Sequence, residues 1–337
     1  MPDVSRKKKK LWMIPLCGGI IAAAAVGALV WTAVESGSGE TQTQAVAGEI
    51  GTDSSGDVQW KGKNYQYNDH LSNYVLIGVD SREKVDTTVG QANAGQADAI
   101  YLVSWDRVEN TSTLITIPRD TMTEIHLYGP GGKDLGTTTD HISLSYAYGD
   151  GSHESCRLTK EAVANLLYGL PIQGYCSINM DALPVLTESV GNLTVTVPNS
   201  SLEETYPEFR EGAQVTLTPE NTETFVRYRD TEESQSALYR MERQQEFIRA
   251  YSEAAKEKFA EDSSFAAQLY SSLEAYMVTN MGNDEFVKLM QSAAEGETKE
   301  GWTIPGEGVE GDTYDEYQVD DDVLYEKIIE TFYEEVD

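Results

Sequence analysis

Residues 11–34 form an unbroken uncharged run rich in Ala, Ile, Leu and Val, placed between the cations of residues 6–10 and Glu35. About 20 apolar residues span a bilayer as a helix, and flanking cations stay on the cytoplasmic side, so the pattern predicts one membrane helix with its N-terminus inside and the body outside. A cleavable signal peptide competes, because Ala45-Val46-Ala47 has the small-x-small form of a cleavage site. The run exceeds the usual apolar region of about 7–15 residues, which favours an uncleaved anchor. A lipid attachment at Cys17 is weaker still, since Leu16 precedes it and the apolar run continues past it.

Past the anchor, residues 35–59 are rich in Ser, Gly, Thr, Gln and Asp and read as a flexible tether, with the folded body starting near Trp60. Short apolar or β-branched runs predict strands over residues 73–79, 99–105 and 113–117. The last two are joined by a turn at residues 106–110 and pair antiparallel, and Pro118 ends the third. Residues 128–139, rich in Gly and Thr, read as an irregular loop. Helical spacing follows at residues 141–148 and 158–167, and strands recur at 175–179 and 193–197. Thr218, as an N-cap before Pro219, opens a short helix toward Arg227, and a longer helix is expected over residues 237–260. Interleaved strands and helices predict an α/β layered domain with a mixed sheet. Beyond Glu261, helical patterns at residues 265–277, 284–294 and 321–333 read as an acidic helical cap with no catalytic signature. The expected partition is a basic tail (1–10), an anchor (11–34), a tether (35–59), a catalytic domain (60–260) and a mainly helical acidic extension (261–337).

Charge narrows the possibilities. With 25 Lys and Arg against 56 Asp and Glu, the net charge of -31 repels nucleic acid and anionic headgroups. Three cysteines in 337 residues make no disulfide scaffold, and no Cys/His cluster points to zinc. Cys156 and Cys176 fall in the exported part, as a bridge or as two free thiols.

Against this acidic background, arginines and carboxylates recur at strand ends: Asp80 with Arg82, Asp98, Arg119 with Asp120, then Arg227 and Arg229 two apart, on one face if the segment is extended. Arg240, Arg243 and Gln244 are spaced to share one face of the long helix. For any single arginine an ion pair with a surface carboxylate is the ordinary explanation. Jointly, they suit a polyanion, because the guanidinium offers paired charged hydrogen bonds to phosphate. Carboxylates beside bound phosphate repel it unless a cation intervenes, and Mg²⁺ is typically shared between one or two carboxylates and substrate phosphates, which makes Asp80 and Asp98 the metal candidates.

The motifs N-Y-V-L-I-G-V-D-S-R (residues 73–82), A-D-A-I-Y-L-V-S (97–104), T-I-P-R-D-T (116–121), A-Y-G-D-G (147–151), F-V-R-Y-R-D (225–230) and R-M-E-R-Q-Q-E-F (240–247) resemble, in order and spacing, those of the LytR-CpsA-Psr family. The resemblance implies a three-layer α/β/α domain behind an N-terminal membrane helix, its sheet and helices enclosing a polyprenyl tail with the pyrophosphate at the pocket mouth. It implies a phosphotransferase that moves a glycopolymer such as teichoic acid or capsule from a polyprenyl-pyrophosphate carrier to peptidoglycan. By resemblance Asp80 and Asp98 associate with Mg²⁺, while Arg119, Arg227, Arg229, Arg240 and Gln244 bind the pyrophosphate; Arg82 and Arg243 lie in the same motifs. Asp98, Arg119 and Asp120 are expected to carry catalysis, with Asp98 or Asp120 as the base. The chain departs from the family where Gln96-Ala97-Asp98 stands for Arg-Ser-Asp and His141-Ile142-Ser143 for Lys-Ile-Asn, which removes a phosphate-facing cation. A polyprenyl-pyrophosphate hydrolase and a non-catalytic module binding lipid or wall polymer are the alternatives.

Overall fold

The computed structural model describes residues 58–82, 86–129, 131–230, 233–311 and 313–336. The expected basic tail, anchor and all but the last two residues of the tether lie outside them. Among the described residues no helix is long and apolar enough to cross a membrane.

In chain order, β1 (Val58–Trp60) and β2 (Lys63–Tyr67) form a hairpin, and β3 (Leu71–Val79), β4 (Ala97–Asp106) and β5 (Thr111–Ile117) run as an antiparallel meander. A ribbon of β6 (Met122–Gly129) and β7 (Lys133–His141) precedes α1 (Leu144–Ala147) and α2 (His153–Leu166). Then come β8 (Gly174–Ile178), α3 (Ala182–Val190), the pair β9 (Leu193–Thr196) and β10 (Gln214–Leu217), and the helices α4 (Thr222–Arg227), α5 (Ser236–Glu261) and α6 (Phe265–Leu273). The chain finishes with β11 (Met277–Thr279), α7 (Asn283–Glu295), β12 (Glu297–Thr298), β13 (Trp302–Thr303), the hairpin of β14 (Gly306–Glu310) and β15 (Asp315–Val319), α8 (Asp321–Phe332) and β16 (Tyr333–Val336).

The central sheet has the order β11-β8-β3-β4-β5-β12, with β13 also on β5. It is mixed: β8 runs parallel to β3 and β12 parallel to β5, against antiparallel β3–β4 and β4–β5 pairs. One face packs Leu76, Tyr101 and Val103 against Phe247, Ile248 and Tyr251 of α5. The other packs Val75, Ile77, Ile100 and Leu102 against Val163 of α2 and Ile328 and Phe332 of α8. A sheet covered on both faces favours apolar side chains on both, which is why the middles of β3 and β4 read as apolar runs. Cys156 and Cys176 are both buried and unbridged, and the Cys156 thiol donates to Ser177 Oγ at 3.2 Å.

The structure departs from the sequence expectations in several places. Residues 128–139 lie within an antiparallel ribbon, with Met122 opposite His141. The strand Lys133–His141 is almost wholly exposed or half-buried, so it lacks the apolar alternation that marks a strand. The short helix starts at Thr222, and Thr218 serves it through its carbonyl, which accepts from Thr222 N at 3.0 Å, and not as an N-cap. Residues after Glu261 supply the expected helices, but also β11, β12 and β13 on both edges of the central sheet, and β16, which pairs with β2. These strands are two to four residues long and owe their place to backbone pairing with an existing edge, not to side-chain periodicity.

Candidate functional site

Antiparallel pairing puts the end of β3, the start of β4 and the end of β5 at one edge: Val79 pairs with Ala97 and Ile117 with Ile100. Asp80, Asp98 and Arg119 therefore emerge together. Arg119 spreads its guanidinium over three neighbours, donating from Nη1 to Asp98 Oδ1, from Nη2 to Gln96 Oε1 at 2.6 Å and from Nε to Asp120 Oδ1 at 3.0 Å. Arg240, from the early turns of α5, donates to the other Asp98 oxygen at 3.1 Å. The Asp98 side chain is 1% exposed, so this buried carboxylate is held between two cations. A buried charge needs such pairing to be tolerated at all.

The electrostatics report how close the cations lie. Burial pushes Arg119 down to about 10; Asp120 opposes that shift, and the charges of Arg240 and Arg229 add to it. Asp80 is raised above the ordinary carboxylate value, chiefly by burial, against the Gln96 N–H donated to its Oδ1 at 2.6 Å and the charges of Arg119, Arg227 and Arg240. Asp80 thus lies within the field of all three arginines.

Not every expected residue joins this group. Arg227 is the last residue of α4, so the extended geometry expected for Arg227 and Arg229 is not found. Arg227 pairs with Glu223 one turn earlier, and Glu223 also takes exposed Arg82, which reaches Asp181 at 3.3 Å. Arg82 is therefore a rim residue. Arg243 turns away from Arg240 despite the helical spacing: it donates to the carbonyl oxygens of Phe225 (2.8 Å) and Tyr228 and to Ser201 Oγ, tying α5 to the segments around it. These contacts are with the protein's own backbone and Ser201.

Two spaces adjoin the cluster and share Arg119 and Asp120. A narrow cavity of about 10 Å³ runs behind it, between β4, β5 and α5, lined by Asp98, Tyr101, Leu238, Met241 and Gln244 among others. Gln244 Nε2 and Tyr101 Oη are buried there without hydrogen-bond partners. With room for about one water, this cavity does not hold a prenyl tail in this conformation. In front lies a mouth of about 550 Å³, lined by Gln96, Arg119, Asp120, His141, Ser143 and Arg229, and by Ser234, Tyr314 and Asp315.

His141 stands where the family pattern has lysine. Its Nδ1 lies 3.0 Å from Asp140 Oδ1 and its Nε2 2.9 Å from the Asp315 carbonyl oxygen. Burial lowers its pKa, but the bonds to Asp140 and Asp315 and the charges of Asp120 and Asp140 outweigh that and raise it overall. Two acceptors satisfy a ring that donates from both nitrogens, the imidazolium. The far wall, residues 313–315, had no signal in the sequence, since its place depends on Tyr317 N donating to the Asp120 carbonyl at 2.8 Å.

Asp80 and Asp98 fit Mg²⁺ only in part, since both oxygens of Asp98 accept from arginines and would be freed only if Arg119 or Arg240 turned to substrate phosphates. They sit at adjoining strand ends, and the desolvated charge of Asp80 is one that a divalent ion would offset. Among the described residues no group of three or more His, Cys, Asp or Glu is gathered to hold a metal alone.

Known proteins bear on the site. The LytR_cpsA_psr family model matches residues 38–331. The polyisoprenyl-teichoic acid–peptidoglycan teichoic acid transferase TagU of Halalkalibacterium halodurans is 31% identical over 176 residues, covering 52% of this chain and 50% of that protein. TagT of Bacillus subtilis, which carries the same transferase description, is 27% identical over 263 residues, 74% of this chain and 73% of that one. The solved structure of TagT bound to LI-WTA superposes with a TM-score of 0.57 at 21% identity, covering 77% of this chain and 88% of that one, which shows a common fold.

Proposed function

This chain belongs to the LytR_cpsA_psr family, and from that premise we propose that it transfers a glycopolymer from a polyprenyl-pyrophosphate carrier to peptidoglycan, working outside the cell from a single N-terminal membrane helix. The relatives named as teichoic acid transferases support the reaction class, although the chain spans only about half of the first of them. The observation that carries the reading is the Arg119–Asp98–Arg240 triad at the strand ends, with the unpartnered amide of Gln244 beside it.

A diphosphate entering from the mouth would meet Arg119 and Arg229 first, with Gln244 Nε2 behind to satisfy an oxygen. Preorganised cations stabilise the charge that develops on the leaving phosphate, which is the main need in phosphoryl transfer. The acceptor sugar hydroxyl attacks the phosphorus bearing the glycopolymer, the bridging P–O bond breaks, and polyprenyl phosphate leaves. Asp120 takes the hydroxyl proton: it lines both spaces, whereas both oxygens of Asp98 are committed to arginine. Mg²⁺ held by Asp80, and by Asp98 once an arginine turns from it to the diphosphate, would supply further neutralisation. The prenyl tail requires Leu238 and Met241 to move apart, since the cavity they line has room for one water.

Mass spectrometry of lipid extracted from the purified chain tests the substrate class, with a polyprenyl phosphate or pyrophosphate expected. Turnover of a purified lipid-linked glycopolymer then tests the reaction. Transfer should require added peptidoglycan; phosphate release without it would make the protein a hydrolase, and lipid affinity without turnover would make it a binding module.

A further inference from the structure

Tyr314 is the most exposed large apolar side chain among the described residues, at 72%, and it lines the mouth of the site. An aromatic ring left in water is ordinary on a loose loop, but this one is anchored on its C-terminal side. The Asp315 carboxylate accepts from Ser234 Oγ at 3.1 Å and Gln235 N at 2.5 Å, and its carbonyl from His141 Nε2 at 2.9 Å. Two residues on, Tyr317 donates its hydroxyl to the Ile304 carbonyl at 2.8 Å. The Tyr314 ring stands edge to face with His141, at 6.5 Å between centroids and 85° between planes. A solvated aromatic held beside a cavity is suited to a ligand with one apolar face, and the rest of the rim asks for hydroxyls: Asp120, Glu233, Ser234 and Ser143 offer acceptors and donors. A pyranose ring has both properties, with C–H groups on one face and hydroxyls around its edge. A space of about 550 Å³ falls within the range of about 300–1,000 Å³ usual for small-molecule sites.

We infer that Tyr314 and His141 form the wall of an acceptor-sugar subsite, in which the pyranose face lies on Tyr314 and the reacting hydroxyl is turned toward Asp120. This rests on the transferase reading, and adds to it the place where the acceptor sits. The arginine side of the mouth is left for the diphosphate, so donor and acceptor approach from opposite walls.

The test uses the full-length chain in detergent, titrated separately with the N-acetylglucosamine–N-acetylmuramic acid disaccharide and with inorganic pyrophosphate. The wild type should bind both. Tyr314→Ala should weaken the disaccharide about tenfold, as the loss of one stacked ring predicts, and Tyr314→Phe should bind it as wild type does, because stacking does not need the hydroxyl. Pyrophosphate affinity should fall in Arg119→Ala. Disaccharide affinity equal in the wild type and Tyr314→Ala, or absent from the wild type while pyrophosphate binds, overturns the subsite and leaves the transferase reading standing. Absence of Arg119-dependent pyrophosphate binding overturns the transferase reading itself.

Discussion

Arg240 Nη1 reaches Asp98 Oδ2 at 3.1 Å across 142 residues of sequence, joining the long helix to the start of a central strand. With Arg119 on the other oxygen, the contact makes one carboxylate the counterion for two guanidinium groups, one buried and one at the mouth.

Asp98→Ala removes that shared counterion, leaving Arg119 with Asp120. Breaking a buried ion pair by removing one partner costs about 3–5 kcal/mol, so the variant should show a lower urea midpoint by that measure. A midpoint like that of the wild type would mean that the pair is solvated.

Arg119→Ala leaves Asp98 with Arg240 and should fold. Its turnover on a lipid-linked glycopolymer should drop by about 10²–10³, the usual effect of losing a charge-stabilising donor. A wild-type rate removes Arg119 from the chemistry.

Arg243→Met separates structure from binding. Burial pushes Arg243 down to about 10, with the charge of Arg240 adding to the shift. It holds the carbonyls of Phe225 and Tyr228, and each buried acceptor left unpaired costs about 1–3 kcal/mol. The melting temperature should fall while pyrophosphate affinity in the surviving folded protein holds. Loss of affinity at full stability would return Arg243 to the phosphate site.

His141 gives the site a pH response. Its pKa is raised on folding above the ordinary 6.5, so the stability it contributes is fully present below pH 6.5 and is lost as pH climbs through the raised value. The difference in melting temperature between wild type and His141→Asn should shrink over that interval. Parallel profiles would show that folding does not shift the titration of the ring.

The anchor of the site was legible because strand ends are marked by where apolar runs stop: Asp80 follows Val79 and Arg119 follows Pro118. What could not be read was direction. Arg240 and Arg243 are three apart on α5 and were expected to act together, yet one finds a carboxylate and the other a set of carbonyls, because tertiary neighbours and not helical phase decide where a long side chain goes. The mouth was illegible for another reason. Tyr314 is brought to Arg119 by a hairpin nearly 200 residues later in the chain, held by backbone bonds that any residue type can make.

That hairpin has an evolutionary consequence. The arginine wall is built from the sheet and the long helix, where exchanging a side chain risks the whole fold, whereas Tyr314 projects from a two-stranded turn with most of its surface in water. Mutations at residues 313 and 314 can accumulate at little thermodynamic penalty. On the proposed reading, a lineage could therefore retune which acceptor it takes while the arginine wall stays unchanged.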